Sequence, residues 1–284
     1  MSYLIAVDSG HGIETAGKRT PLIPEEWHGR KKGECIKEKE FNKPVAEFLI
    51  DALTRCGFHT LNISPGTKDI SLKERYDTAN QAKADILVSK HYNAHTGKWG
   101  NANGIETIVS QYASKNTKKL ATFIQEELVH THLRTDRGVK TDIQQSGINL
   151  AILRNASMPA VLTESGFMDN LTEAKTMLDV KFQKADAEAT CRGICKYFGV
   201  SYIEENIVAN KRITKESTVQ EVKWLQEKLN SKLPGHSNIP LTVDGVYGNK
   251  TRIAVLVYWE VLGWNKKGKD DGWKIGKKTM DKLA

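Results

Sequence analysis

Cysteine is scarce in this chain. Four occur in 284 residues, and no two form a C-x-x-C pair, so nothing in their spacing calls for a disulfide framework or a thiolate metal site. Cys191 and Cys195 stand four apart in ATCRGICKYF, a helical spacing that puts both on one face and predicts buried thiols. Neither Cys35 nor Cys56 sits in a motif for nucleophilic catalysis. Long apolar runs are also missing. None approaches the ~20 residues that a membrane span needs, which predicts a soluble chain with no membrane partner. The start, MSYLIAVDSGHG, has no basic n-region, and its apolar stretch from Tyr3 to Val7 is too short for a signal sequence. The expectation is synthesis in the cytoplasm without a signal peptide. Gly10 and Gly12 lack the rest of a G-x-G-x-x-G loop, and Ser165 in T-E-S-G-F lacks the leading glycine of a nucleophile elbow. No zinc-finger, homeodomain or RNA-binding signature occurs, so no nucleic-acid partner is expected.

Other features are plentiful. With 39% hydrophobic and 27% charged residues, the chain can bury a sizeable core. Its net charge of +8 is unevenly spread. Residues 210–284 hold 15 Lys+Arg against 8 Asp+Glu, whereas the first 209 hold 27 against 26. A basic segment of this kind suits a polyanionic partner.

Apolar runs and helical patterns alternate as far as about Val200. Strands are expected at Leu4–Asp8, His59–Ser64, Asp85–His91, Gly104–Ser110 and Ala160–Ser165. Helices are expected at Phe41–Gly57, Ser71–Ala84 with Ser71 as N-cap, Asn116–Leu133, and once or twice within Thr172–Phe198. This alternation predicts an α/β domain with a mainly parallel sheet. A polar stretch over 204–217 reads as a linker. Beyond it, Val219–Asn230 carries Val219, Val222, Leu225, Gln226 and Leu229 along one helical stripe. Asp244–Thr251 (DGVYGNKT) is then echoed by Asp271–Thr279 (DGWKIGKKT) at a period of about 27. Each Asp-Gly predicts a turn, and each Thr opens a helical run. The chain is thus expected to divide into a first domain over 1–203, the linker, and a small all-α, three-helix module over 218–284.

Three expected strands end in polar residues suited to catalysis: Ser9-Gly10-His11-Gly12, His91-Tyr92-Asn93, and Glu164-Ser165-Gly166. Sites in open α/β sheets form beyond the carboxyl ends of strands, so His11, His91 and Glu164 are expected at one sheet edge. The glycines beside His11 predict a sharp turn that leaves the ring accessible. Two histidines and a carboxylate with one open position suit a hydrolytic zinc site. A further ligand is expected at Glu38 or Glu40, at the start of the first long helix. His91 and His95 have the spacing of a zinc helix, but Tyr92 replaces its glutamate and a strand precedes them, so His95 is read as a loop residue. Gly104 and Glu106 follow the His91 loop and are candidates to support the site.

VDSGHG, KEKEFNKPVAEFL, ILVSKHYNA, GIET and AVLTESGFMDN occur in the order seen in zinc-dependent N-acetylmuramoyl-L-alanine amidases of the amidase-3 type, and Tyr3–Phe198 resembles that family. The C-terminal V-x-x-L-Q-x-x-L-N and V-D-G-x-Y-G-x-x-T pattern resembles a peptidoglycan-binding module of the three-helix type. Ser9 stands where the family often has proline, which affects the turn and not the metal chemistry. The resemblance implies a three-layer α/β/α sandwich around a mixed, mainly parallel sheet. It also implies one Zn²⁺ held by His11, Glu38 and His91, with Glu164 as the catalytic carboxylate; Glu38 is preferred because family members carry that glutamate four residues before an Asn, here Asn42. The implied activity is cleavage of the amide between N-acetylmuramic acid and the L-alanine of the stem peptide in bacterial peptidoglycan. The combination of an amidase with a wall-binding module resembles a phage or prophage endolysin, which would reach the wall through a phage-encoded pore or on lysis. A silent wall-binding protein and a zinc peptidase acting on stem peptides are the rival readings.

Overall fold

A computed structural model describes residues 3–204, 213–217, 219–236, 239–264 and 271–283. It divides into two units, Met1–Ile203 and Glu204–Ala284. Most of the expected linker, residues 205–212, lies outside the described residues.

In the first unit the elements run β1 (Leu4–Ser9), α1 (Lys39–Arg55), β2 (His59–Asn62), α2 (Leu72–Gln81), β3 (Ile86–Asn93), β4 (Ile105–Val109), α3 (Lys115–His132), β5 (Asp136–Thr141), α4 (Asp142–Ser146), α5 (Ala151–Arg154), β6 (Ala160–Phe167), α6 (Leu171–Ala174) and α7 (Val180–Phe198). Six strands form one sheet in the order β2-β1-β3-β6-β4-β5. Every neighbouring pair is parallel except β4 with β6. The sheet is therefore mixed and mainly parallel, as the alternating pattern predicts. The short helices α4 and α5 and the strand β5 have no counterpart in the sequence reading. β5, with sequence DRGVKT, lies at the sheet edge and is only half-buried, so it carries no apolar run.

Period-two alternation sorts each strand onto two faces. Ile5, Val7, Ile86, Val88, Val161, Ile105 and Val109 pack with residues of α1, α3 and α7. Ala6, Leu87, Leu162 and Ile108 face the other way and pack with residues of α2 and α5. This gives three layers of unequal cover: helices of 17 to 19 residues on one side, and helices of 10 and 4 residues on the other. The buried Lys90 amine reaches Asp186 Oδ1 of α7 at 2.7 Å, tying β3 to the long-helix face.

Ser71 caps α2, its hydroxyl accepting from the Glu74 amide at 3.1 Å. Ser71→Ala should cost about 1 kcal/mol, readable as a lowered urea midpoint with unchanged slope. Cys191 and Cys195 are buried on α7 and come close to Cys56 at the end of α1, with Cys56 and Cys191 sulfurs 3.7 Å apart. Burial pushes the Cys56 thiol up, and a hydrogen bond with Cys195 together with burial pushes the Cys191 thiol up. Cys195, the other member of that hydrogen bond, is pushed down by it.

The second unit contains α8 (Val219–Lys232), α9 (Asn249–Val261) and α10 (Lys277–Leu283) among its described residues. Its core gathers Val222, Leu225, Leu229, Val255, Trp259, Ile275 and Met280. The expected stripe is shifted in one respect: Val219, in the first turn, is 52% exposed, and Trp224 joins the buried set instead. Both Asp-Gly turns form, with Gly245 at φ +77° and Gly272 at φ +74°. In each, the Asp Oδ1 accepts from the amide two residues on, Val246 at 2.9 Å and Trp273 at 3.0 Å. Each helix starts two residues before the Thr expected to open it. Buried Gln226 donates to Asp244 Oδ1 at 2.8 Å and accepts from the Gly245 amide at 2.9 Å, which explains an amide within an apolar stripe.

Candidate active site

Parity places the polar strand ends. Ala6 and Asp8 of β1, Leu87, Ser89 and His91 of β3, Leu162 and Glu164 of β6, and Glu106 and Ile108 of β4 all point to the thinly covered face. Register then aligns His91 with Glu164 across β3–β6, and Glu164 with Glu106 across β6–β4. The three side chains form one row, just beyond the apolar residues that α2 and α5 cover.

His11 and Glu38 close over the end of this row. His11 lies two residues past β1, with φ +59°, a conformation uncommon for a residue with a side chain. The expected division of labour is thereby corrected. The turn is made by His11 itself, while its flanking glycines are required for space. A Cβ on Gly10 would lie 2.0 Å from the His91 ring, and one on Gly12 would lie 2.2 Å from the Asp69 amide.

Helix α1 begins at Lys39, two residues earlier than its apolar spacing suggests, so Glu38 sits at its first turn. Asn42, one turn on, donates from Nδ2 to Glu38 Oε1 at 3.0 Å and to the Gly10 carbonyl at 3.1 Å. The Tyr92 amide also donates to Glu38 Oε1, at 3.2 Å. Glu40 turns away to pair with Arg30 and the Lys37 amide. The structure thus brings Glu38, and not Glu40, to the histidines.

Glu38 Oε2 is 3.4 Å from His11 Nε2, and Glu38 Oε1 is 3.0 Å from His91 Nδ1. One ligand atom from each of these three residues lies within 4.8 Å of the others. The rings meet edge to face, with centroids 4.8 Å apart. Burial would raise the Glu38 carboxyl, but the His91 hydrogen bond and the charges of His11 and His91 outweigh it and lower Glu38 to about 2. Burial lowers His11 to about 4, with Glu38 opposing. Both shifts favour the ligand forms, a carboxylate and a neutral imidazole. Two nitrogens and one carboxylate oxygen with an open side are a donor set that fits Zn²⁺.

Glu164 is buried, and its Oε2 has no hydrogen-bond partner. Burial and the neighbouring Glu38 charge push its carboxyl well above the usual range. Glu106, beside it, is held ionised by other means. Although burial opposes, Lys140 Nζ at 2.6 Å and Arg137 Nε at 2.8 Å bind Glu106 Oε2 and lower its carboxyl. Asn93 Nδ2 donates to Glu106 Oε1 at 2.7 Å. Gly104, at φ +102°, donates its amide to Glu173 Oε1 at 2.9 Å. A cleft of about 540 Å³ opens beside the histidines, lined by Ile70, Leu72, Leu150, Ile152 and Leu162 together with Asp8 and Asp69.

His95 lies in an exposed loop, where Asp169 Oδ2 accepts from the amides of His95, Thr96 and Gly97 at 2.8 to 3.0 Å. Two residues behind the site escaped the sequence reading. Ser89 contacts His91, and Asp8 contacts Ser89. Their signal is present in the strands: each is a polar residue in an apolar run, and Ser89 stands two before His91, on its face.

Comparison with known proteins gives the family. Residues 5–196 match the family model for N-acetylmuramoyl-L-alanine amidase, Amidase_3, and the chain belongs to that family. It is 30% identical over 195 residues to the uncharacterized protein YqiI of Bacillus subtilis, a match covering 68% of this chain and 84% of YqiI. It is likewise 30% identical over 199 residues to the endolysin of Bacillus phage SPP1, covering 69% of this chain and 66% of the endolysin. The match to the amidase LytC of Bacillus subtilis, 29% identical, spans only 35% of that longer protein. Among solved structures, an N-acetylmuramoyl-L-alanine amidase from Clostridium difficile 630 superposes with a TM-score of 0.59 at 30% identity, covering 70% of this chain and 97% of that one.

Proposed function

We propose that this protein is a zinc-dependent N-acetylmuramoyl-L-alanine amidase that hydrolyses the bond between the N-acetylmuramic acid lactyl group and the L-alanine of the stem peptide. The observation that carries this reading is the convergence of His11, Glu38 and His91 at the end of a strand row whose next member is the unpaired carboxyl of Glu164. Zinc, when bound, lowers the pKa of a water to about 7 and polarises a carbonyl. His11 and His91 would supply nitrogen ligands and Glu38 an oxygen. Glu164 accepts the proton of the attacking water and returns it to the departing L-alanine amine. A carboxyl held above the usual range suits both halves of that transfer.

The second unit is proposed to anchor the enzyme on the wall, and the whole chain to act as an endolysin made in the cytoplasm and released at lysis. The surplus of seven positive charges over residues 210–284 supports attraction to carboxylate- and phosphate-rich wall polymers. Retention of the full chain on purified wall should therefore fall as salt rises, measured by co-sedimentation. Retention that ignores salt would argue for a neutral ligand.

Gly10→Ala should displace the His91 ring and weaken zinc binding by more than tenfold while costing much less in thermal stability. Zinc titration beside a thermal melt checks it. Digestion of purified wall tests the reaction itself. New L-alanine amino termini without new reducing sugars are expected, whereas reducing ends would mean glycoside cleavage, and new termini at other residues a stem-peptide peptidase.

A further inference from the structure

Away from the histidines, three thiols meet where the end of α1 lies against α7. Cys56 closes α1, and Cys191 and Cys195 stand one turn apart on α7. The Cys56 and Cys191 sulfurs are 3.7 Å apart, and all three sulfurs lie within 4.8 Å of one another. Each residue is no more than 5% exposed. Cysteine spacing is silent about this group, because Cys56 comes from a helix 135 positions before Cys191.

The distances suit one shared ion. Thiolate bonds of about 2.3 Å to a d¹⁰ cation place three trigonal sulfurs about 4 Å from one another. Among the described residues no His, Asp or Glu joins the group, and its burial leaves no place for a water ligand. A three-sulfur set without nitrogen or oxygen favours a soft cation over zinc, which takes four ligands in a tetrahedron. The surroundings also favour negative sulfur. The Ile203 amide donates to Cys56 Sγ at 3.3 Å, and Arg55 Nε donates to the Ile203 carbonyl at 2.8 Å. The hydrogen bond from Cys191, helped by the Arg55 charge, draws Cys195 toward its thiolate form against the effect of burial. A divalent ion on three thiolates carries one negative charge, and the Arg55 guanidinium is the cation placed to offset it.

We propose that Cys56, Cys191 and Cys195 form a second metal site, trigonal and all-thiolate, for a soft d¹⁰ cation of the Cd²⁺ and Cu⁺ class. Such an ion clamps the end of α1 to α7. It shares no ligand with the His11, Glu38 and His91 group, so the two sites fill independently and with different ions.

Cadmium is the probe. The full chain, kept reduced with a phosphine and saturated with zinc, is titrated with Cd²⁺ and read by cadmium-113 NMR. One equivalent should give a signal in the all-sulfur range, well apart from that of an ion on nitrogen and oxygen. The ultraviolet charge-transfer band of cadmium–thiolate bonds should rise with it, and the thermal midpoint should climb, since the ion binds the folded chain. Cys191→Ser should weaken cadmium by more than about a hundredfold, beyond the cost of losing a partner behind a ligand. Cys35→Ser should change nothing. A parent chain with no all-sulfur signal would overturn the site without recourse to any variant. So would a signal that survives Cys191→Ser or disappears in Cys35→Ser. Displacement of cadmium by an equal concentration of zinc would overturn the assignment to a soft ion.

Discussion

Glu164→Gln is expected to retain zinc and lose nearly all turnover, by a factor on the order of 10³, within the range that positioned proton transfer contributes. Glu164 lies in strand β6, its Cα paired with those of His91 and Glu106, so the backbone holds it whatever its side chain. Glutamine matches its size, and no hydrogen bond to Oε2 is lost. Removing a buried carboxyl next to the Glu38 charge also relieves repulsion, so the variant should melt no lower than the parent. That combination separates a catalytic group from a structural one. Release of L-alanine amino termini from wall, metal content and a thermal melt on one preparation are the three readings needed. Parental rates would remove Glu164 from the mechanism.

His11→Ala should abolish stoichiometric zinc and, with it, activity. Its side chain is 21% exposed, against 2% for Glu38, and it stands on a loop residue at positive φ. It is therefore the ligand whose loss disturbs packing least, and alanine leaves a site with two ligands where tetrahedral zinc needs three and a water. Alanine also keeps a strained φ without the interaction that justifies it, so His11→Gly should lose zinc equally but melt higher. Metal analysis after gel filtration reads the loss directly. A variant that keeps one equivalent of zinc would place the metal elsewhere.

Much of this site is legible in the chain because three apolar runs each stop at a polar residue. LIAVDS, ILVSKHYN and AVLTESGF announce buried strands, and sheet parity does the rest. The spacing leaves Glu38 and Glu40 equivalent, since both belong to one KEKE run. What separates them is tertiary: the start of α1 at Lys39, the Asn42 bridge to Gly10, and the Arg30 partner of Glu40. The role of Gly10 was equally hidden, because its need for space arises from a ring eighty-one positions away. Ser89 and Asp8 are readable in type but not in contact, because Arg75, the partner of Asp8, arrives from α2. At the far edge, β5 shows little apolar signal because one side of it has no neighbour.

The central claim is that one zinc ion at His11, Glu38 and His91 makes this chain an amidase. Its most direct test is to strip the full chain of metal, add zinc stepwise, and count L-alanine amino termini freed from purified wall. Activity should be absent at the start, rise in proportion to zinc, and level off at one equivalent per chain. Full activity in the stripped chain, or restored activity that frees no L-alanine amine, would contradict it.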